Sequence, residues 1–406
     1  MRWRFPCPAS TVRGMDFPET GATMPLPTAP SPTVLGLAPT ERARVLDAAE
    51  RHLAEPPRTV TAASSPRSAG GTHDFFSEGD YWWPNPDDPD GPYVQRDGLS
   101  NPDNFVEHRR ALMRLSVQVP ALAAAWLLTG DPRFGDHAAR HARAWFLDPS
   151  TRMNPHLRFA QAIHGRTTGR GIGVIDTIHL VEVVRALQVL EASGAPGSAS
   201  GEGLTADEFD AVRGWFRAYL EWLTTSANGI EEREQENNHG TCWAMQVAAF
   251  AAFVGDETTL GALRERFTAV LVPGQIEPDG SMPRELARTK PFGYSLFNLD
   301  AFATTARLLS TPEDDLWRFE TADGRGLPAA TAFLAPFIAD RSGWPLPPDV
   351  MYDDQWPMRH PSLLFAGLAY DDPDVLALWG RLPADSDVDE VIRNHFVRQP
   401  LLWVPH

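Results

Sequence analysis

Cysteine is almost missing from this chain. Its 406 residues hold two, Cys7 and Cys242. One lies in a terminal tail and the other in an apolar helix-forming run, so neither a disulfide framework nor a zinc site is implied. Basic charge is also short. Lys and Arg number 36 against 53 Asp and Glu, a net charge of −17. That argues against a nucleic-acid binder or a binder of anionic membranes, whose footprint is basic. If the ligand is itself a polyanion, positive charge must be gathered in a cleft. The N-terminus has no apolar core of signal-peptide length, and no later stretch reads as a transmembrane helix. Residues 1–38, rich in Pro, Thr and Ser, read as a disordered or over-extended leader, with Met15 and Met24 as alternative starts. As written the chain carries no export signal, though a misplaced gene start would leave secretion open.

Strand-like alternation is scarce, and no tetratricopeptide or ankyrin repeat is visible. What the chain has in quantity is helix. Hydrophobic residues make up 43% and tryptophans number 13, enough for a large packed core. APTERARVLDAAERHLAE carries a Thr cap and apolar positions at helical spacing. The run NPDNFVEHRRALMRLSVQVPALAAAWLLTG ends on a Gly stop, and DPRFGDHAARHARAWFLD opens with Asp and Pro as a helix should. Similar runs continue to the C-terminus, joined by short Gly, Asp and Pro turns. The pattern predicts an all-α fold, an α/α toroid or incomplete barrel of about six or seven antiparallel hairpins. Residues 39–406 read as one catalytic domain, with GAPGSASGEGLTADE as a flexible surface connection inside it.

Two non-helical stretches are too long to be mere connectors. Residues 72–104 are rich in aromatics and turn formers and read as a lid loop. Residues 153–173, MNPHLRFAQAIHGRTTGRGIG, set Gln161, His164, Arg166 and Arg170 among glycines. Long ordered loops in compact domains commonly carry function.

The segment EQENNHGTCWAMQVAAFAAF puts Asn238 and His239 at the mouth of a helix built for burial. A cap needs one Asn and no histidine. Partners stand downstream in GQIEPDGSMPRELARTKPFGYSLFNLDAF, which supplies Arg284, Glu285, Arg288, Lys290 and Tyr294. Amide and guanidinium donors can grip a carboxylate and offset its charge. That acidifies the hydrogen on the adjacent carbon by stabilising an enolate-like dianion. A tyrosine whose pKa is lowered by neighbouring cations, or a neutral histidine, can then take the proton. An ether oxygen on the next carbon leaves by β-elimination.

These segments together resemble the alginate lyase superfamily of α/α-toroid polysaccharide lyases. NNH opening a helix, PDGSMPRELARTKPFGYSLFNLDAF, and NPHLRFAQAIHGRTTGRGIGVID occur in the family's order over residues 70 to 310. Arg288 and Tyr294 lie six apart (294 − 288), and His239 and Tyr294 lie 55 apart (294 − 239). This spacing, with GDYWWPNPDDPDGPYVQRDG, is closer to polysaccharide lyase family 38 than to family 5. The resemblance implies Asn238 and Arg288 as carboxylate neutralisers, Tyr294 as proton donor to the leaving O4, and His239 as a second acid/base group. It implies an anionic uronic-acid polysaccharide or oligosaccharide as partner, with alginate first and glucuronan next, and neither metal nor cofactor. Trp82, Trp83, Gln161, His164, Arg170, Arg284 and Lys290 are candidate substrate-binding residues.

Two other readings stay open from residues alone. A glycoside hydrolase on a similar toroid needs two placed carboxylic acids. Asp176, Glu234, Glu236 and Glu285 are available, though none stands in a demanding pattern. A polyuronate-binding protein without turnover would not need the phenol of Tyr294.

Overall fold

The computed structural model describes residues 32–194 and 203–404. Of the leader read over 1–38, residues 1–31 lie outside the described residues, and Pro32 already opens the first helix. Cys7 and residues 195–202 of the surface connection fall outside them as well.

Local signals set most helix ends. The helices are α1 (Pro32–His52), α2 (Glu107–Thr129), α3 (Pro132–Ala142), α4 (Leu180–Ala192) and α5 (Ala206–Thr225). They continue with α6 (Ala227–Arg233), α7 (Asn238–Val254), α8 (Glu257–Arg266), α9 (Val272–Gln275) and α10 (Pro283–Leu286). The last are α11 (Pro291–Leu309), α12 (Leu327–Ala339), α13 (Pro361–Tyr370), α14 (Pro373–Arg381) and α15 (Asp389–Asn394). Gly130 ends α2 in the left-handed region at φ 67° and donates to the Trp126 carbonyl. Asp131 caps α3 with Pro132 at its first position, and Thr205 with Glu208 forms a reciprocal capping box on α5.

Helices α2, α4, α7, α11 and α13 pack in succession as an inner layer. Helices α1, α3, α5, α8, α12 and α14 cover that layer from outside, giving the α/α toroid the sequence predicts. The inner helices are apolar almost all round because both sides are covered. One correction follows. Helix α2 is long and apolar enough to cross a membrane, yet 72% of its apolar window is buried inside the protein, which marks it as a core helix.

The C-terminal stretch fills the middle of this layer. Phe396, Leu401, Leu402 and Trp403 are buried. Glu182 of α4 accepts from the backbone N–H groups of Arg398 and Gln399 and from the Trp403 indole. Arg307 of α11 donates to the Trp403 carbonyl at 2.7 Å. Pro120 inside α2 has no N–H to offer the Ser116 carbonyl, and Arg398 donates to that orphan instead at 3.3 Å.

Among the described residues, strand is confined to the two long loops. β1 (Phe76–Glu78) pairs in parallel with β4 (Phe159–Ala162), and β2 (Trp82–Trp83) pairs antiparallel with β3 (Val94–Gln95). The first pairing ties loop 72–104 to loop 153–173 at the rim of the toroid.

Candidate active site

The turn before α7 explains its two asparagines. Asn237, in extended conformation, is the cap, and its side chain accepts from the His239 N–H. Asn238 is therefore released from capping. The chain folds back so tightly that a Cβ on Gly240 would sit 2.1 Å from the Gln235 carbonyl oxygen, so only glycine fits. Asn238 donates from its backbone N–H and from its amide nitrogen to the two oxygens of Glu285, both at 2.7 Å. One amide hydrogen remains for another acceptor.

His239 is held from behind. Its Nδ1 lies 2.7 Å from Oε1 of Glu232 on α6, a carboxylate with no exposed surface. Burial pushes the Glu232 carboxyl up, and the imidazole pulls against that shift. With Nδ1–H donated to Glu232, Nε2 is the nitrogen free to accept a proton.

The start of α11 brings Tyr294 and Arg288 together. Their contact is 3.3 Å between guanidinium nitrogen and phenolic oxygen, and the guanidinium carbon lies 4.3 Å from the ring centroid. From the opposite wall Tyr81 sets its hydroxyl 2.6 Å from that of Tyr294. Asp97, also from loop 72–104, pairs with Arg288 at 2.7 Å and accepts from Thr289. Burial would raise Asp97, but Arg288 outweighs it and holds the carboxyl low. Arg288 is in turn held fully charged.

Tyr294 corrects the sequence reading. A phenol depressed by cations is expected there, yet burial raises it well above the ordinary value, Tyr81 adds to the rise, and Arg288 only opposes it. In the ligand-free protein Tyr294 is a phenol, poised to donate.

Asn238, His239, Arg288 and Tyr294 face one cavity of about 350 Å³, which Trp82, Gln161 and Arg170 also line. Gln161 is a non-glycine residue at φ 50°, an uncommon conformation that its surroundings enforce. Its N–H donates to Ser77, its amide nitrogen donates to Asp176, and Arg170 donates to both its carbonyl and side-chain oxygens.

The other candidates lie elsewhere. Lys290 sits behind Tyr294, paired with Glu390 at 3.1 Å rather than open to the cavity. Arg284 is half exposed on the outside, paired with Glu236 at 2.6 Å. Trp83 turns away, its indole donating to the Leu99 carbonyl and its ring under Arg96. His164 lines a separate recess. Each neighbours a cavity residue in sequence, and side-chain direction separates them.

Residues the sequence did not single out complete the cavity. Tyr81 stands one position before the tryptophan pair that did draw notice. Arg393 and Glu390 come from α15, far along the chain, and extend a buried ionic floor through Asp80 to Arg109. Burial alone would raise Asp80, yet Arg109 and Arg393 outweigh it and hold it at about 2. No local pattern marks such partners.

Comparison with known proteins now has a geometry to meet. The family profile described as alginate lyase matches residues 59–344. The chain belongs to the alginate lyase family. It is accordingly a polysaccharide lyase. An alginate lyase from Bacteroides ovatus is 30% identical, with TM-score 0.76 over 90% of this chain and 96% of that one. A histidine-to-alanine variant of alginate lyase A1-III, complexed with tetrasaccharide, is 15% identical with TM-score 0.55 over 89% of this chain and 93% of that one. A tyrosine-to-phenylalanine variant of A1-III, also complexed with tetrasaccharide, gives 0.52 at the same identity over 89% and 94%. The A1-III likeness establishes the shared fold. No curated protein matches the chain significantly.

Membership removes the hydrolase reading, and the cavity agrees. Its carboxylates Asp80, Asp97 and Glu390 are all paired with cations and lowered, whereas a hydrolase acid must be raised. Glu234 and Glu236 are exposed or ion-paired outside, and Asp176 and Glu285 are committed to buried partners.

Proposed function

We propose that this lyase cleaves the 1,4 linkages of alginate by β-elimination, mannuronate-rich chains first and glucuronan next, leaving a 4,5-unsaturated uronate at the new non-reducing end. The observation that carries the reading is the convergence of Asn238, His239, Arg288 and Tyr294, from two separate segments, on one cavity. The Arg288–Tyr294 interval further supports a place in polysaccharide lyase family 38. The tetrasaccharide complexes of A1-III variants, and the alginate lyase of Bacteroides ovatus, support the substrate class.

In this mechanism the free amide hydrogen of Asn238 and the Arg288 guanidinium receive the C5 carboxylate and offset its charge as the C5 proton leaves. These two groups supply the neutralisation that a metal would otherwise provide. Electrons of the C5–H bond form the C4–C5 double bond, the C4–O4 bond breaks, and Tyr294 protonates O4. On a guluronate linkage H5 and O4 depart from opposite faces, and His239 takes the proton through Nε2. On mannuronate or glucuronate both depart from one face. Tyr294 then serves as base and acid in turn, after losing its phenolic proton, a step Arg288 favours and burial opposes. Loop 72–104, held to Arg288 through Asp97, is the lid over this chemistry.

The test is ultraviolet absorbance of the unsaturated product with polymannuronate, polyguluronate and glucuronan separately. A rise that Tyr294→Phe abolishes is expected. New reducing ends without absorbance, or a Tyr294→Phe protein of unchanged rate, would sink the proposal.

A further inference from the structure

Beyond Trp82 lies a second recess of about 300 Å³, lined by Arg67, Glu78, Ile163, His164 and Arg166 among others. It does not share the catalytic quartet, yet it is coupled to their cavity through one ring. Arg170, which lines the catalytic cavity, has its guanidinium carbon 5.9 Å from the Trp82 centroid. Arg166, which lines the recess, has its own 5.1 Å from the same ring. The two cations are therefore no more than 11.0 Å apart, the sum of those distances. Consecutive residues divide the same way, Gln161 facing the catalytic cavity and Ala162 the recess.

The recess is built to stay in place. Tyr93 from the lid donates its N–H to the His164 carbonyl at 3.1 Å, and its ring lies 5.2 Å from the imidazole. The Arg166 Nε donates to the Tyr93 carbonyl at 2.8 Å. Its terminal nitrogens have no acceptor among the described residues, so the guanidinium is positioned but unspent. Arg67 is partly spent on Glu78 at 2.5 Å and remains 42% exposed. Two guanidinium groups against one carboxylate leave net positive charge in the recess of a chain whose own net charge is −17. Unneutralised positive charge there calls for an anion.

We propose that this recess is a distal subsite, in which Arg166 receives the carboxylate of a uronate on the far side of Trp82 from the linkage being cut. The inference rests on the lyase reading for its ligand class. Sugars around the linkage being cut and at Arg170 fill the catalytic cavity, so Arg166 is reached only by a chain that runs on past Trp82 into the recess. Long substrates then gain a contact that short ones cannot reach, and multivalent attachment raises affinity without altering the chemistry at Tyr294.

The experiment measures binding, so that it does not depend on turnover. Mannuronate trimer and hexamer are titrated calorimetrically into Tyr294→Phe protein, with and without Arg166→Ala. The hexamer is expected to bind more tightly than the trimer, and Arg166→Ala to weaken it by about fivefold to tenfold while leaving the trimer unchanged. Arg166→Lys, which keeps the charge but not the fork, is expected to fall between. Equal affinity of trimer and hexamer, or equal loss of both in Arg166→Ala, overturns the subsite. A hexamer preference lost in Arg166→Ala, in a wild-type protein that forms no unsaturated product, leaves the subsite standing and sinks the lyase mechanism instead. Arg166 is exposed, and an unchanged melting temperature checks that the variant is folded.

Discussion

Replacing Glu232 with glutamine separates positioning from packing at the base. Glu232 has no exposed surface, its Oε1 meets His239 Nδ1 at 2.7 Å, and its Oε2 has no hydrogen-bond partner. A carboxylate kept in this way is poorly compensated, since an unsatisfied buried polar atom costs about 1–3 kcal/mol. Glutamine keeps the shape and removes the charge. Stability is therefore expected to hold or rise, read as the thermal midpoint. Turnover is expected to fall. A hydrogen bond to a charged group contributes about 1.5–3 kcal/mol, so losing the partner of a developing imidazolium should cost about 10- to 150-fold in kcat. The loss should be larger on polyguluronate, where the proposed mechanism has His239 take the proton, than on polymannuronate. The assay is initial rate of ultraviolet absorbance on each polymer across pH. A Glu232→Gln protein that melts lower yet turns over within about twofold of the unaltered enzyme, judged against the 1.4 kcal/mol that a tenfold effect represents, would refute the argument and make Glu232 structural.

Two more outcomes follow from the buried groups. Because Tyr294 is raised by burial and must lose its proton to act as base, the rate on polymannuronate should climb through alkaline pH. The rate on polyguluronate should not show that climb, and parallel profiles would remove the phenolate step. Asp80 is held at about 2 against an ordinary 3.8, so its stabilisation is complete above pH 4 and is lost as pH falls towards 2. That difference is worth about 2 kcal/mol, and acid unfolding followed by circular dichroism should lose a corresponding part of its pH dependence in Asp80→Asn.

The inner helices, their caps and four residues that line one cavity, Asn238, His239, Arg288 and Tyr294, are legible in the chain because each has a local signature. Apolar spacing, Gly130 as a stop, Asp131 with Pro132, and Asn next to His before a buried run are read without knowing what lies opposite. Lys290, Arg284 and Trp83 show the limit of that reasoning. They neighbour cavity residues in sequence, but a helix or hairpin turns adjacent side chains in different directions.

By itself the sequence determined the toroid, the helix ends that carry Asn238, His239 and Tyr294, and the need to concentrate scarce positive charge. Tertiary structure alone decided their partners and their protonation. Asn237 rather than Asn238 became the cap because Glu285 claimed Asn238 from across the cleft. Tyr81, Asp97 and Arg393 reach the cavity through contacts between segments far apart in sequence. The direction of the Tyr294 shift depended on burial, which outweighed the cation beside it. Such pairings and desolvation costs arise only when the chain is packed, since they belong to the distance between groups and to the water removed around them.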